Sequence, residues 1–372
     1  MQYQAVIGRM ILAVATLVFS IFNADWLSAQ EKQEKAGEQE PTTLKIATEL
    51  VTVPVIVTGR DGRFITGLTR ADFEVREDGV SQTLDYFSAS ESPFNVALLI
   101  DTSRSTINKL SAIRKAAMAF IKQLHPNDRV MIVAFDEQVR FATRLTSDQA
   151  ELERSIDALE HGYQTSLYDA IYLTLSEKLN RIQGRKAIVV LTDGVDTASK
   201  QATFESALEQ AASSGVICYT IQYETRNDGA SPRKPIVFPK KSSFISNFGG
   251  NNLVVQDQGQ DQGKEPAPGS RPSTRVNSGK PQPLRDRHLI AADFLRGLAF
   301  QSGALYLRAE NIENISDAFR RIAMELRNQY TLVYTPANGH LDGKYRKIGV
   351  KVRRDDFIVR SRSGYRARKV TN

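Results

Sequence analysis

Apolar residues along the chain fall into two rhythms. Val51, Val53, Val55 and Val57 recur every second position, with Thr52, Pro54, Ile56 and Thr58 between them, the period that a pleated strand imposes on one buried face. Pro54 has no N–H to give to a ladder and predicts that this strand lies at an edge. Short strands around Phe73-Glu74-Val75 and Thr83–Phe87 are joined through Glu77-Asp78-Gly79-Val80, whose Asp-Gly step permits positive φ. Residues 44–92 therefore read as a small antiparallel β unit, too small to stand alone and expected to pack on the next domain along the chain.

From Asn95 to Tyr223 the rhythm changes. Continuous apolar runs at Val96–Ile100, Val130–Phe135, Ala187–Val190 and Val216–Ile221 alternate with helical spacings such as Leu110, Ile113, Ala117, Ile121 and Leu167, Ile171, Leu175, Leu179. A helix over Thr203–Ser214 precedes the last of these strands. Strands buried on both faces and separated by helices predict an α/β fold, a Rossmann-like doubly wound and mostly parallel sheet. The pattern breaks over 224–285, which is rich in Gly, Gln, Asn, Asp, Ser and Pro and cannot bury enough apolar surface to offset chain entropy. It resumes with a helix near Ala291–Gln301, a strand at Ala304–Leu307, an amphipathic helix carrying Ile315, Phe319, Ile322 and Leu326, and a strand at Gln329–Pro336. The break is thus an insertion within one domain, 93–336. Beyond it, over 337–372, Ile348, Val350 and Val352 alternate with Lys347, Gly349, Lys351 and Arg353, an added C-terminal strand pair with one basic, solvated face.

The ends add compartment. Arg9, the apolar stretch Met10–Phe22 and Leu27-Ser28-Ala29 have the layout of a secretory signal over 1–29, and 30–43 is a polar, disordered linker. Export to the periplasm or the exterior is expected, with no integral span after cleavage; the apolar stretch falls short of the roughly 20 residues a spanning helix needs, so a retained inner-membrane anchor is the weaker alternative. Cys218 is the single cysteine and can form no internal disulfide; within its apolar run it reads as a small buried hydrophobe. Across 372 residues, 49 Lys and Arg against 42 Asp and Glu leave a net charge of +7, concentrated after Gly343. No stacking-aromatic module accompanies that charge, and no nucleic-acid partner is expected.

Candidate chemistry gathers at strand ends. Asp101-Thr102-Ser103-Arg104-Ser105 follows the run ending at Ile100, Gln164-Thr165-Ser166-Leu167-Tyr168-Asp169 opens a helix, and Leu191-Thr192-Asp193-Gly194 closes another run. In open α/β sheets ligands collect at the carboxyl ends of strands, where strand order reverses. Taken singly, Ser103, Ser105 and Thr165 read as helix caps and Asp193 as a turn residue; taken together they are an all-oxygen set suited to a hard divalent cation. Asp136, Asp169 and Asp196 stand at the same edge, either orienting ligands or serving as turn carboxylates. His125, His161, His288 and His340 lie in unrelated contexts without zinc spacing, and neither a Gly-x-Ser-x-Gly elbow nor a phosphate loop occurs.

Asp101-x-Ser103-x-Ser105 with the distant Thr165 and Asp193 resembles the metal-ion-dependent adhesion site of von Willebrand factor type A (VWA) domains. The flanks, including Tyr345-Arg346-Lys347-Ile348 and Ser363-Gly364-Tyr365-Arg366, are similar to those of an exported bacterial subgroup, the VWFA-related domain proteins. The resemblance implies the VWA fold, with a metal site of Asp101, Ser103, Ser105, Thr165 and Asp193 and a Mg²⁺ (or Mn²⁺ or Ca²⁺) ion as cofactor. Asp101 and Thr165 act directly or through water, and Asp193 is the charge partner behind them. It further implies a non-enzymatic protein that binds or adheres to a protein ligand presenting Asp or Glu to the metal. The alternatives are a metal-dependent hydrolase, for which no base stands beside Ser103 in sequence, and a structural envelope protein in which the metal is a staple.

Overall fold

A computed structural model of the chain describes residues 50–89, 92–223, 284–309, 312–354 and 356–369. The expected signal and linker, and all but the last two residues of the expected insertion, lie outside the described residues.

The central sheet has six strands: β5 (Phe94–Asp101), β6 (Arg129–Phe135), β7 (Val139–Phe141), β8 (Arg185–Thr192), β9 (Ile217–Tyr223) and β10 (Tyr306–Ala309). Their spatial order is β10-β9-β8-β5-β6-β7, all parallel except the β6–β7 hairpin. The chain enters at β5 in the middle and winds outward both ways, so the reversal of strand order falls at the end of β5, at Asp101. Every residue of β5 is buried, as a strand covered on both faces requires. On one face lie helices α1 (Leu110–Ile121), α2 (Gln149–Asp157) and α6 (Ile312–Arg327), which contribute Ile113, Phe120, Ile156 and Phe319 to the core. Helices α3 (Leu167–Leu173), α4 (Phe204–Ser214) and α5 (Leu284–Ser302) cover the other face through Ile171, Leu208 and Phe294. A wider π turn, Thr174–Leu179, carries α3 onward and keeps Leu175 and Leu179 in register with the core. The mixed α/β architecture with a mostly parallel sheet follows the sequence pattern.

The flanks are organised otherwise than expected. Strands β1 (Val51–Gly59), β2 (Phe73–Glu77), β3 (Val80–Gln82) and β4 (Leu84–Ser88) make no unit by themselves. They interleave with β11 (Tyr330–Tyr334), β12 (Tyr345–Val352), β13 (Phe357–Ser361) and β14 (Gly364–Arg366) in two antiparallel sheets, β13-β1-β11-β4 and β14-β12-β2-β3. One core of Val53, Val55, Val75, Tyr330, Leu332 and Ile348 serves both. The strand near 330–336 thus belongs to this antiparallel layer, where β11 pairs with β1 and β4, and not to the parallel sheet. A four-strand fragment has too little apolar area to close a core, and strands from the far end of the chain supply the rest.

Pro54 is likewise placed differently, because β1 is an inner strand. Its first half, Val51–Val55, pairs with β11 and its second half, Val55–Gly59, with β13. Pro54 therefore stands beside a single neighbouring strand, and its missing N–H costs no ladder bond on the other side.

Arginines fasten the β layer to the α/β layer. The fully buried Arg362 donates to the carbonyls of Thr52, Gly364 and Ala212, the last in α4. Arg360 pairs with Glu325 of α6, and Arg185 of β8 donates to the Leu326 carbonyl.

Candidate functional site

Three loops leave the carboxyl edge of the sheet around the end of β5. In the first, Asp101 is fully buried; its Oδ1 accepts from the Ser103 amide at 2.9 Å and its Oδ2 from the Thr192 hydroxyl at 2.6 Å. The Ser103 carbonyl accepts from the Thr106 amide (3.0 Å) and hydroxyl (2.7 Å), which winds Arg104–Lys109 into a 3₁₀ turn and brings the Ser103 and Ser105 Oγ atoms to 3.0 Å. Ser103 stands at the N-cap of this turn but makes no side-chain cap bond, and its hydroxyl meets that of Ser105 instead.

The second loop is stitched to both others. The Gly162 amide donates to the Thr102 carbonyl at 2.9 Å, and the Thr165 carbonyl accepts from the Thr197 and Ala198 amides at 2.8 and 2.9 Å. The Thr165 amide donates to the Thr197 hydroxyl at 2.9 Å. Thr165 is buried, and its own hydroxyl has no hydrogen-bond partner among the described residues.

The third loop begins at Thr192, whose hydroxyl both donates to Asp101 and accepts from the Gly194 amide at 2.9 Å. The Asp193 carbonyl accepts from the Gln222 side chain at 2.9 Å, and its Oδ1 caps the Val195 amide at 3.3 Å. Gly194 has φ +90°, and a Cβ there would meet Leu295 Cδ1 at 2.8 Å, so α5 rests directly on this turn. Burial, then the charge of Asp193, push the Asp101 carboxyl up from 3.8 to about 7, against the pull of its bonds to Ser103 and Thr192. Two carboxylates thus share one low-dielectric space. Among the described residues no group of three or more His, Cys, Asp or Glu converges.

The remaining acidic candidates hold the frame. Asp136 sits under an Arg140 ion pair; burial pushes its carboxyl up, but Arg140, the Gln138 amide and the Thr102 hydroxyl together bring it below the ordinary range. Asp169 accepts from the Lys200, Gln201 and Ala202 amides, and Asp196 from the Ser199 hydroxyl and the Tyr168 amide. Both are turn carboxylates that shape the third loop against α3. His161 is exposed on the second loop.

Three groups at this edge escaped the sequence reading. Thr192 stood in view beside Asp193, inside the run it terminates. Lys109 and Tyr223 gave no local sign, because only the strand order brings them here. Lys109 Nζ lies 5.6 Å from the centroid of the Tyr223 ring.

An open α/β sheet with a hydroxyl and carboxylate site at its switch point defines the class. Residues 96–195 match the family model of the von Willebrand factor type A domain. The match spans β5 to the third loop and includes all five site residues. A search of curated proteins gives no match. Among solved structures, the chain is similar to an aerotolerance-related membrane protein from Bacteroides fragilis at 17% identity and TM-score 0.39, over 63% of this chain and 98% of that one. It is also similar to a von Willebrand factor type A protein from Catenulispora acidiphila, at 11% identity and TM-score 0.42, over 80% and 73%. A third likeness is to proximal thread matrix protein 1 from the mussel byssus, whose MIDAS motif holds zinc, at 16% identity and TM-score 0.34. It covers 37% of this chain and only 38% of that one.

Proposed function

We propose that the chain is an exported, non-enzymatic binding protein that docks a partner through a divalent cation. Asp101, Ser103, Ser105 and Thr165 would hold the ion, with Asp193 behind them as charge partner, and the ion would act as a Lewis acid toward an Asp or Glu carboxylate of the partner. The observation that carries this reading is the buried Asp101 carboxylate facing Asp193 amid hydroxyl oxygens, with Asp101 driven toward protonation by burial and by that neighbour. Such a pair is costly in a protein interior unless a cation joins it. Two carboxylates do no more than balance a divalent charge, which leaves the ion receptive to an outside oxygen. Mg²⁺ is the first candidate for an all-oxygen donor set; Mn²⁺ and Ca²⁺ share that chemistry.

Binding is favoured over hydrolysis because the hydroxyl neighbour of Ser103 is Ser105 and not a base. Ile107 and Tyr163, 49% and 77% exposed on the loops that carry Ser105 and Thr165, offer apolar contact at the rim. Export rests on the N-terminal pattern; among the described residues no helix is long and apolar enough to cross a membrane.

Isothermal titration of Mg²⁺ or Mn²⁺ into the parent chain and Asp101→Ala tests the site, which is refuted by equal heats in the two. Retention of envelope proteins with and without EDTA tests the partner. Identical retention would sink the docking role, and a drop in melting temperature on EDTA without release of partners would point to a structural staple.

A further inference from the structure

The site contains a cation of its own. The 3₁₀ turn that begins after Ser103 ends at Lys109, whose Nζ lies over the Tyr223 ring, 5.6 Å from its centroid. Tyr223 closes β9 directly after Gln222, which the register of β8 with β9 sets opposite Thr192, the residue before Asp193. The Gln222 side chain clasps the Asp193 carbonyl at 2.9 Å and fixes that alignment. Lys109 is half-buried and takes part in no ion pair among the described residues. Burial pulls its ammonium below the ordinary lysine range, and the charge of Asp193 opposes that pull. The Tyr223 hydroxyl is buried without a hydrogen-bond partner among the described residues, and the charges of Asp101 and Asp193, after burial, hold the phenol well above its usual range. An ammonium above an aromatic face is attracted to it, most strongly where water is excluded.

Resting on the metal-site reading, we infer that Lys109, held over Tyr223, is the resident counter-cation of the Asp101–Asp193 pair and thereby sets the concentration of divalent cation at which the site loads. Before the metal enters, the ammonium offsets part of the repulsion between the two carboxylates and stabilises the fold. Once a divalent ion enters, the same ammonium is a like charge beside it, and the ion binds more weakly than the oxygen set alone would allow. Lysine suits this role because its charge rides on a flexible stem that can swing outward while the methylenes stay on the ring. The consequence is a site that stays folded without metal and fills only when the ion is plentiful.

The experiment uses the full chain and two readouts. In EDTA, thermal melts of Lys109→Met, Asp193→Asn and the double variant form a cycle that reads the coupling without any metal. Lys109→Met lowers the melting temperature of the parent and leaves that of Asp193→Asn unchanged, while Lys109→Arg keeps the parent value. An equal drop in both backgrounds means that Lys109 does not serve this pair, and overturns the inference. In the second arm, titration with Mg²⁺ alone gives Lys109→Met an affinity on the order of fivefold above the parent, and Lys109→Arg an affinity near it. Equal or weaker binding by Lys109→Met also overturns the inference. A parent chain that takes up no divalent ion refutes the metal-site reading instead, and the cycle in EDTA still decides whether Lys109 is the counter-cation.

Discussion

Asp101 carries its chemistry in its surroundings. The unfolded chain releases its proton near 3.8, whereas the fold holds it until about 7 because burial and Asp193 penalise the charged form. A folded pKa raised in this way stabilises the metal-free protein fully below about pH 3.8 and loses that contribution as pH rises through about 7. Urea melts in EDTA across pH 4 to 7 should show Asp101→Asn gaining on the parent as pH rises, since amide and carboxyl differ only when the latter ionises. A difference that stays flat across that range would refute the assignment. Under the proposed function, cation binding would run the other way and strengthen up to about pH 7, because the proton must leave before the ion can bind. The motif residues Asp101, Ser103, Ser105 and Asp193 were legible because strand ends and Asp-x-Ser-x-Ser spacing are local. Lys109 and Tyr223 were not, since they sit 114 positions apart and meet only because β9 lies two strands from β5.

Elements meet the site through close approach more than through side-chain chemistry. Gly194 and Gly184 both have left-handed backbones, φ +90° and +84°, but a Cβ at Gly184 meets nothing within 4 Å, whereas at Gly194 it meets Leu295 and Ala291 of α5. Substitution by Ala should therefore cost about 1 kcal/mol at Gly184, the strain of the left-handed region alone. At Gly194 it should cost about 2–4 kcal/mol, because α5 must also move. Chemical denaturation of the two variants measures this; equal losses would mean that α5 does not brace the third loop. The continuous runs of β5, β6, β8 and β9 and the helical spacings of α1, α3 and α4 were readable, since burial on two faces and a 3.6-residue period leave plain marks. The burial of Cys218 was readable for the same reason. What Pro54 meant was not, because whether a strand is an edge depends on partners some 280 residues away.

At the scale of the molecule, the chain closes on itself: β1 is clamped by β11 and β13, and the α/β layer is inserted between β4 and β11. Local patterns announce strands but not pairings across such distances, so the flanks looked like two appendages. The closure depends on a few buried charges. Glu325, only 3% exposed on α6, is held up by burial and drawn down chiefly by Arg360 of β13, its ion-pair partner across the layers. Removing one member of a buried pair leaves the other uncompensated, so Arg360→Met should cost about 3 kcal/mol, and Arg360→Met with Glu325→Gln should regain most of it. Cys218 is a suitable reporter, because its thiol is fully buried in the core of the parallel sheet and pushed up to about 12, which keeps it inert until the fold opens. Alkylation of the native parent should be slow, and about a hundredfold faster in Arg360→Met if labelling follows the opening equilibrium. If Cys218 is protected equally in both proteins while the denaturation midpoint falls, the β layer detaches without opening the α/β core. The arginine clamp would then join two independently stable layers, not one cooperative unit.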